Sequence, residues 1–425
     1  MSSPLRRVAA ALTLVLSLAI VLLLALRGMG VAVAIGPLAS ATPVVSATPS
    51  LTATPGASAS ANVQAIFTEI EAQVRAERGL PAPSIGPAQL LSRSDLEAEL
   101  RRNFDRDYPP ARRQADNVMF RALGLLTPAQ DIGQLQLKLL GSQVIGFYDD
   151  KTKRMAVISE VGVDAVAKVT YAHEYTHALQ DKAFGLASLD IQAQGQDDRD
   201  LARLALVEGD ATTMMTLWAL AHLSPEELTG IGLAPQPDTS GIPSWMLDQL
   251  LFPYTSGAEF VARLHASGGW SAVDAVFKEP PASTEQVLHY EKYVAHEAPR
   301  NMAPPHVAAA LGSGWTETPA DILGEETTLL WLKALGVPES DAMNAAEGWG
   351  GDRVVAASTA DGQLAVAWHI VWDSPGDARQ FSAAYTAAKK PAGLRSRLIA
   401  ISDHESLVVQ ATSQAALDRL AAPLS

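Results

Sequence analysis

Two histidines and a glutamate stand at a spacing that suits metal chemistry, in the run His173-Glu174-Tyr175-Thr176-His177. On a helix, residues four positions apart lie on one face, so both imidazoles can reach the same cation. The adjacent Glu174 then points to the rim of the site, where it can take a proton from a metal-bound water. The alternative is a chance match in a metal-free helical protein, which arises in about one chain of this length in a hundred.

The segment around the two histidines, residues 163–182, is predicted to be a helix. Val163, Val166 and Val169 precede the histidines at helical spacing and provide an apolar face. A catalytic zinc site normally has three protein ligands and one open position. The chain must therefore supply a third ligand.

Glu208, which follows the second histidine by 31 residues, is the predicted third ligand. It shares the apolar stripe of a second predicted helix, 198–222, with Leu201 and Leu204. A carboxylate in that position is costly unless it is paired or bound to a cation. The alternative is that Glu208 accepts hydrogen bonds from core hydroxyl groups or from an arginine such as Arg203.

Asp210 lies two residues beyond Glu208 on the same predicted helix. Metal-bound histidines commonly donate their second ring N–H to a carboxylate in the outer shell. Asp210 is predicted to orient a histidine in this way, and the alternative is a solvated aspartate without a role in the site.

The start of the chain is predicted to enter a membrane. Arg6 and Arg7 precede an apolar run over residues 8–26, whose 19 residues suffice to span a hydrocarbon core. The basic flank predicts a single-pass anchor over residues 1–27 with the remainder outside the cytoplasm. If a signal peptidase cut near residues 39–41, the protein would instead be secreted.

The composition of the chain predicts a linker after the anchor, and it argues against nucleic-acid binding and cysteine-based sites. Residues 28–61 lack charge and are rich in Ala, Ser, Thr and Pro, which predicts a solvated linker. The net charge of -14 and the lack of a basic patch argue against nucleic-acid binding. The absence of cysteine excludes disulfides and all cysteine-based sites.

The folded part is predicted to be α+β, with a mainly helical domain over residues 62–344 and a small α+β domain over 345–425. In the first domain, one short β-hairpin around the polar turn 149–154 lies between predicted helices. In the second domain, the hydrophobic pattern predicts the order ββαββα.

The metal motifs resemble those of a known family. The runs 173–181, HEYTHALQD, and 208–212, EGDAT, are similar to the gluzincin branch of zinc peptidases. More narrowly, they resemble a group of exported, largely uncharacterised bacterial proteins with HExxHALQD and EGDAT helices. Further similar segments are 146–149, 280–289 and 348–353, so the resemblance covers most of the chain from about residue 62 onward.

The resemblance implies a zincin-like fold, a bound Zn²⁺ and hydrolysis of a peptide or protein substrate on the outer side of the membrane. It also implies that the hairpin before the histidine helix is the sheet edge along which the substrate lies. A peptidase needs a donor for the developing oxyanion, and His289 is the leading candidate, ahead of Tyr290 and Tyr293. The alternative is that these three residues only pack in the core or at the surface. The alternative function is a non-catalytic envelope binding or assembly protein that retains the fold.

Overall fold

The computed structural model describes residues 57–143, 146–158, 163–191, 193–232 and 238–422. The predicted anchor, 1–27, and most of the predicted linker, 28–61, lie outside these residues. Within the described ranges, no helix is both long and apolar enough to cross a membrane.

The helices of the described residues are numbered here in chain order. They are α1 Ala57–Arg78, α2 Arg93–Asp107, α3 Pro110–Ala122, α4 Ile132–Gln143, α5 Ala165–Phe184, α6 Asp197–His222, α7 Pro225–Gly232, α8 Ser244–Leu251, α9 Ser256–Val276, α10 Thr284–Leu288, α11 Tyr290–Val294, α12 Val307–Leu311, α13 Gly324–Ala334, α14 Glu339–Ala346, α15 Pro375–Ala387 and α16 Gln414–Ala421. A short 3₁₀ helix, Leu186–Leu189, follows α5.

The strands form two sheets. They are β1 Gln89–Leu91, β2 Gly146–Asp149, β3 Arg154–Ile158, β4 Trp315–Glu317, β5 Trp349–Thr359, β6 Leu364–Trp372, β7 Arg395–Ala400 and β8 Glu405–Ala411. The first sheet has the order β1-β3-β2, with β1 parallel and β2 antiparallel to β3. The second has the order β4-β5-β6-β8-β7 and is antiparallel throughout.

The predicted α+β class is confirmed. The predicted hairpin is β2–β3, and the predicted C-terminal order is β5-β6-α15-β7-β8-α16. Strands β1 and β4 were not predicted, because each has three residues and is stabilised by pairing with a strand distant in sequence. β4 lies before residue 345, so the larger sheet begins upstream of the predicted C-terminal domain.

Helix α5 has well-defined ends and is enclosed by its neighbours. The Asp164 side chain caps its N-terminus by accepting the Ala167 N–H at 2.8 Å, and Gly185 ends it with a φ of 67°. The ring of Tyr171 stacks on Phe67 of α1 with centroids 3.9 Å apart. Because α5 is covered along most of its length, polar side chains on it must find partners inside the protein.

Helices α6 and α9 cross in backbone contact at two glycines. A Cβ on Gly209 would lie 2.2 Å from the carbonyl oxygen of Gly257, and a Cβ on Gly257 would lie 2.3 Å from that of Ala205. Because Gly209 follows Glu208, this close crossing also sets the position of the predicted third ligand.

Gly209→Ala should destabilise the protein by about 1–3 kcal/mol or more, since the new methyl group forces two backbones apart. Denaturant unfolding of the purified variant measures the loss. Gly230→Ala in α7 is the matched control, because a Cβ there meets no atom within 4 Å. A Gly209→Ala protein as stable as the control would contradict the close packing.

Buried carboxyl groups surround one arginine where α3, α6 and the larger sheet meet. Arg112 lies 3.0 Å from Asp116, 3.7 Å from Asp197 and 3.6 Å from Asp321, measured between its side-chain nitrogens and the carboxyl oxygens. All four side chains are largely buried. Burial raises the pKa of Asp116 and of Asp321, and the nearby guanidinium offsets this only in part.

We expect the free energy of unfolding to fall as the pH rises from about 4, the carboxyl range of the unfolded chain, towards 8. Burial raises the pKa of Asp116 to about 7, that of Asp352 to about 6 and that of Glu326 to about 8. The folded state therefore binds more protons than the unfolded state in this range, so raising the pH favours unfolding. Denaturant titrations at several pH values measure the slope, and Glu326→Gln should flatten it. A slope of opposite sign would contradict the assignment.

Candidate metal centre

Helix α5 places His173 and His177 side by side in a buried position. Their Nε2 atoms are 3.0 Å apart, and their rings meet edge to face at 80° with centroids 4.7 Å apart. The two residues are 1% and 3% exposed. The four-residue spacing of the motif therefore brings two ring nitrogens to one point, as helix geometry requires.

Helix α6 brings Glu208 to the same point. Its Oε2 atom lies 3.2 Å from Nε2 of His173 and 3.4 Å from Nε2 of His177. Arg203 points elsewhere and donates to the Leu189 carbonyl at 2.6 Å, so it is not the partner of Glu208. We call His173, His177 and Glu208 the ligand cluster.

The ligand cluster has the dimensions of a tetrahedral metal site. A tetrahedral zinc with ligand bonds of about 2.0–2.1 Å separates neighbouring ligand atoms by about 3.3–3.4 Å. The three separations here are 3.0, 3.2 and 3.4 Å. Two imidazole nitrogens and one carboxylate oxygen also form the donor set of a catalytic zinc site with one position left for water. The residues present thus fit a zinc ion.

Electrostatics within the ligand cluster favour an ionised Glu208 carboxylate and one positively charged imidazole. Burial opposes charge on Glu208, but the two histidines outweigh it and lower the pKa of Glu208 to about 2. Burial also opposes charge on His177, but Glu208 raises the pKa of His177 to about 9. Burial lowers the pKa of His173. The two histidines shift in opposite directions because one carboxylate supports one imidazolium, and metal binding would displace that proton.

Glu174 is buried beside the edge of the smaller sheet. Its Oε2 atom accepts the backbone N–H of Tyr148 on β2 at 2.9 Å. β2 is an outer strand of that sheet, since the order is β1-β3-β2. The carboxylate next to the first histidine is therefore held against the strand that the resemblance nominates for substrate.

Gln180 connects Asp210 to the ligand cluster. Nδ1 of His177 lies 2.8 Å from Oε1 of Gln180, whose Nε2 donates to Oδ2 of Asp210 at 2.9 Å. Asp210 is buried rather than solvated, and it reaches the histidine through the glutamine rather than directly. Sequence reasoning missed Gln180, although its position three residues after His177 on one helix face was a usable signal.

His289 lies in a different set of contacts. It ends α10, and its Nε2 atom is 2.9 Å from Oε1 of Glu325 on α13, which raises the pKa of His289. Among the described residues, no hydrogen bond joins His289 to the ligand cluster. Its assignment as the oxyanion donor stays a prediction. Tyr290 and Tyr293 pack on Phe260, with ring centroids 6.1 and 5.2 Å away.

The aromatic residue nearest the ligand cluster in the ring contacts of the described residues is Tyr254. It lies between α8 and α9, is buried, and has its ring centroid 6.2 Å from that of His173. No sequence spacing relates Tyr254 to the histidine motif, so only the packing of α9 against α6 could reveal it.

The C-terminal part of the chain is similar to a known protein family. Residues 313–420 match a domain of unknown function, DUF8575. This match covers β4 to near the end of α16, including all of the larger sheet, and lies outside the ligand cluster. No curated protein and no solved structure matches the chain.

Proposed function

We propose that this protein is a zinc-dependent peptidase that hydrolyses peptide bonds on the outer face of a membrane. One observation carries this: two histidines and a glutamate converge at tetrahedral spacing, and Glu174 lies next to the first histidine. A purely structural zinc site would use a fourth protein ligand and needs no adjacent base. The resemblance to gluzincins points to the same chemistry.

Metal binding and proton transfer are assigned to different residues of the site. His173, His177 and Glu208 would hold zinc, which when bound supplies a Lewis acid that acidifies water and polarises a carbonyl. Glu174 takes the proton of the attacking water and returns it to the nitrogen of the departing amine. The Tyr148 N–H donates to the Glu174 carboxylate and holds it beside β2.

Strand β2 is the proposed place for the substrate backbone. This strand has a strand partner on one side only among the described residues, its four residues are buried, and its Tyr148 N–H is bonded to Glu174. Pairing through its remaining main-chain groups would give affinity without demanding particular side chains. A peptide paired there would pass close to Glu174, because Glu174 is bonded to β2. The proposed substrate class is an extended segment of peptide or protein.

Metal analysis combined with a peptide digest tests this function. The full chain, purified in detergent, should contain about one zinc and should cleave a mixed-peptide library read by mass spectrometry. A chelator should abolish cleavage, and added zinc should restore it. Zinc without cleavage of any peptide would favour the non-catalytic envelope protein, and a protein without metal affinity would overturn the peptidase.

We also propose that the folded body lies outside the cytoplasm, behind a segment anchored by the apolar run 8–26. Protease added to sealed spheroplasts that express the full chain should release a soluble fragment by cutting within residues 40–61. A cytoplasmic protein in the same spheroplasts should stay intact as the control. Protection of the body in sealed spheroplasts would contradict this orientation.

A further inference from the structure

A buried chain of polar contacts runs from the end of α1 to the ligand cluster. Arg78, the last residue of α1, donates from Nε to Oδ1 of Asp210 at 2.9 Å and from Nη2 to Oδ2 at 3.1 Å. Asp210 accepts from Gln180, and Gln180 contacts His177. The side chains of Arg78 and Asp210 are both fully buried. We call these four residues the relay.

The contacts of Gln180 fix the direction of its amide. Its Nε2 atom donates to the Val207 carbonyl and to Oδ2 of Asp210, each at 2.9 Å, which uses both of its hydrogens on acceptors. Its Oε1 atom therefore faces His177 and can only accept. Nδ1 of His177 must carry the hydrogen of this 2.8 Å contact, and in the neutral ring Nε2 then presents a lone pair to the ligand cluster.

Arg78 fixes the acceptor on which this direction depends. A guanidinium offers donors only and pairs with a carboxylate through a two-bond fork, so both oxygens of Asp210 stay oriented. Without that partner, a buried carboxylate would be uncompensated, which is costly and rearranges its neighbours. The orientation of the amide, and with it the tautomer of His177, would no longer be set.

The other histidine does not share this support. Nδ1 of His173 is buried and has no hydrogen-bond partner among the described residues. Arg78 is itself held from α9, by Asp274 at 2.7 Å and by the ring of Trp270, 4.5 Å from the guanidinium carbon. Helix α1, the first helix of the described residues, therefore contacts the metal centre through Arg78.

We propose that Arg78 is a positioning residue for the metal centre. Acting through Asp210 and Gln180, it selects the Nδ1–H tautomer of His177 and turns Nε2 towards the metal. This inference rests on the proposed zinc centre but not on peptide hydrolysis, since its effect is on metal affinity.

Zinc affinity of the full chain, measured by competition with a chelator, tests the relay. Arg78→Met and Gln180→Leu should each weaken zinc binding about 10–100-fold, as loss of an outer-shell partner does. Arg78→Lys should recover part of the loss, since it keeps the charge but not the fork. Arg203→Met is the matched control: it makes the same change as Arg78→Met on an arginine of α6 that donates to the Leu189 carbonyl, outside the relay, and should change affinity about threefold or less.

The double variant Arg78→Met/Gln180→Leu separates positioning from general damage. If both residues act through His177, breaking the relay twice should cost little more than breaking it once, so the two losses are not additive. Thermal unfolding of the metal-free proteins checks that each variant folds, and Gln180→Leu alone still tests the relay if the arginine variants do not fold.

Three results would overturn the inference: wild-type zinc affinity in Gln180→Leu and in the Arg78 variants, an equal loss in Arg203→Met, or fully additive losses in the double variant. A wild-type chain that binds no zinc would overturn the inference together with the proposed centre. Zinc binding that depends on the relay in a protein that cleaves no peptide would leave the inference standing and remove only the peptidase.

Discussion

Glu174→Gln should keep about one zinc per chain and slow peptide hydrolysis roughly 10²–10⁴-fold or more, the usual contribution of a positioned base. The glutamine has nearly the same shape as glutamate, and its amide oxygen can still accept the Tyr148 N–H. It cannot take a proton from water. Zinc content and the rate of cleavage, measured on the same preparation, would thus separate metal binding from the chemical step.

Glu71→Gln is the matched control for that variant. It makes the same chemical change on a carboxylate that contacts α5 from outside, through the hydroxyl of Tyr171 at 2.5 Å. Its rate should stay within about threefold of the wild type, as for most changes away from a site. A Glu174→Gln protein that cleaves at the wild-type rate would require the mechanism to be abandoned.

Glu208→Ala should remove most of the zinc affinity and the activity with it, whereas Asp210→Ala should weaken zinc about 10–100-fold. The two expected losses differ because Glu208 lies at the histidine nitrogens and Asp210 does not. Glu208 places a carboxylate oxygen 3.2 and 3.4 Å from the two Nε2 atoms, and without it only two protein ligands remain. Asp210 acts on the histidine through Gln180.

Zinc titration of the two variants side by side decides between these roles. Both residues are buried on α6 only two positions apart, so each serves as the control for the other in local damage to the helix. An empty site in Asp210→Ala together with a loaded site in Glu208→Ala would reverse the assignment. Equal modest losses would mean that the third ligand lies elsewhere in the chain.

Much of the fold was predictable because it depends on local patterns. Apolar residues at helical spacing before His173 predict a helix over 163–182, and in the structure this helix is α5, Ala165–Phe184, between the Asp164 cap and Gly185. The β2–β3 hairpin and the C-terminal order of strands and helices likewise follow from alternating residues and turns. The three-residue strands β1 and β4 carry no such pattern, since partners far along the chain provide their hydrogen bonds.

In the candidate site, too, some features follow from the local sequence and others depend on tertiary packing. The sequence by itself determined that His173 and His177 share a helix face with Glu174 beside them, because helix periodicity sets that arrangement without reference to the rest of the chain. It also determined that Glu208 needed a partner, because a carboxylate on an apolar stripe is costly.

Only the tertiary structure decided which partner each polar group met. The crossing of α5, α6 and α9 brings Glu208 to the histidines, and it places Gln180 between His177 and Asp210. Arg78 is 132 residues from Asp210 in sequence, and their contact depends on how α1 packs against α5 and α6. Such pairs have no signature in residue spacing, since they arise from the burial of apolar faces that many different pairings could satisfy.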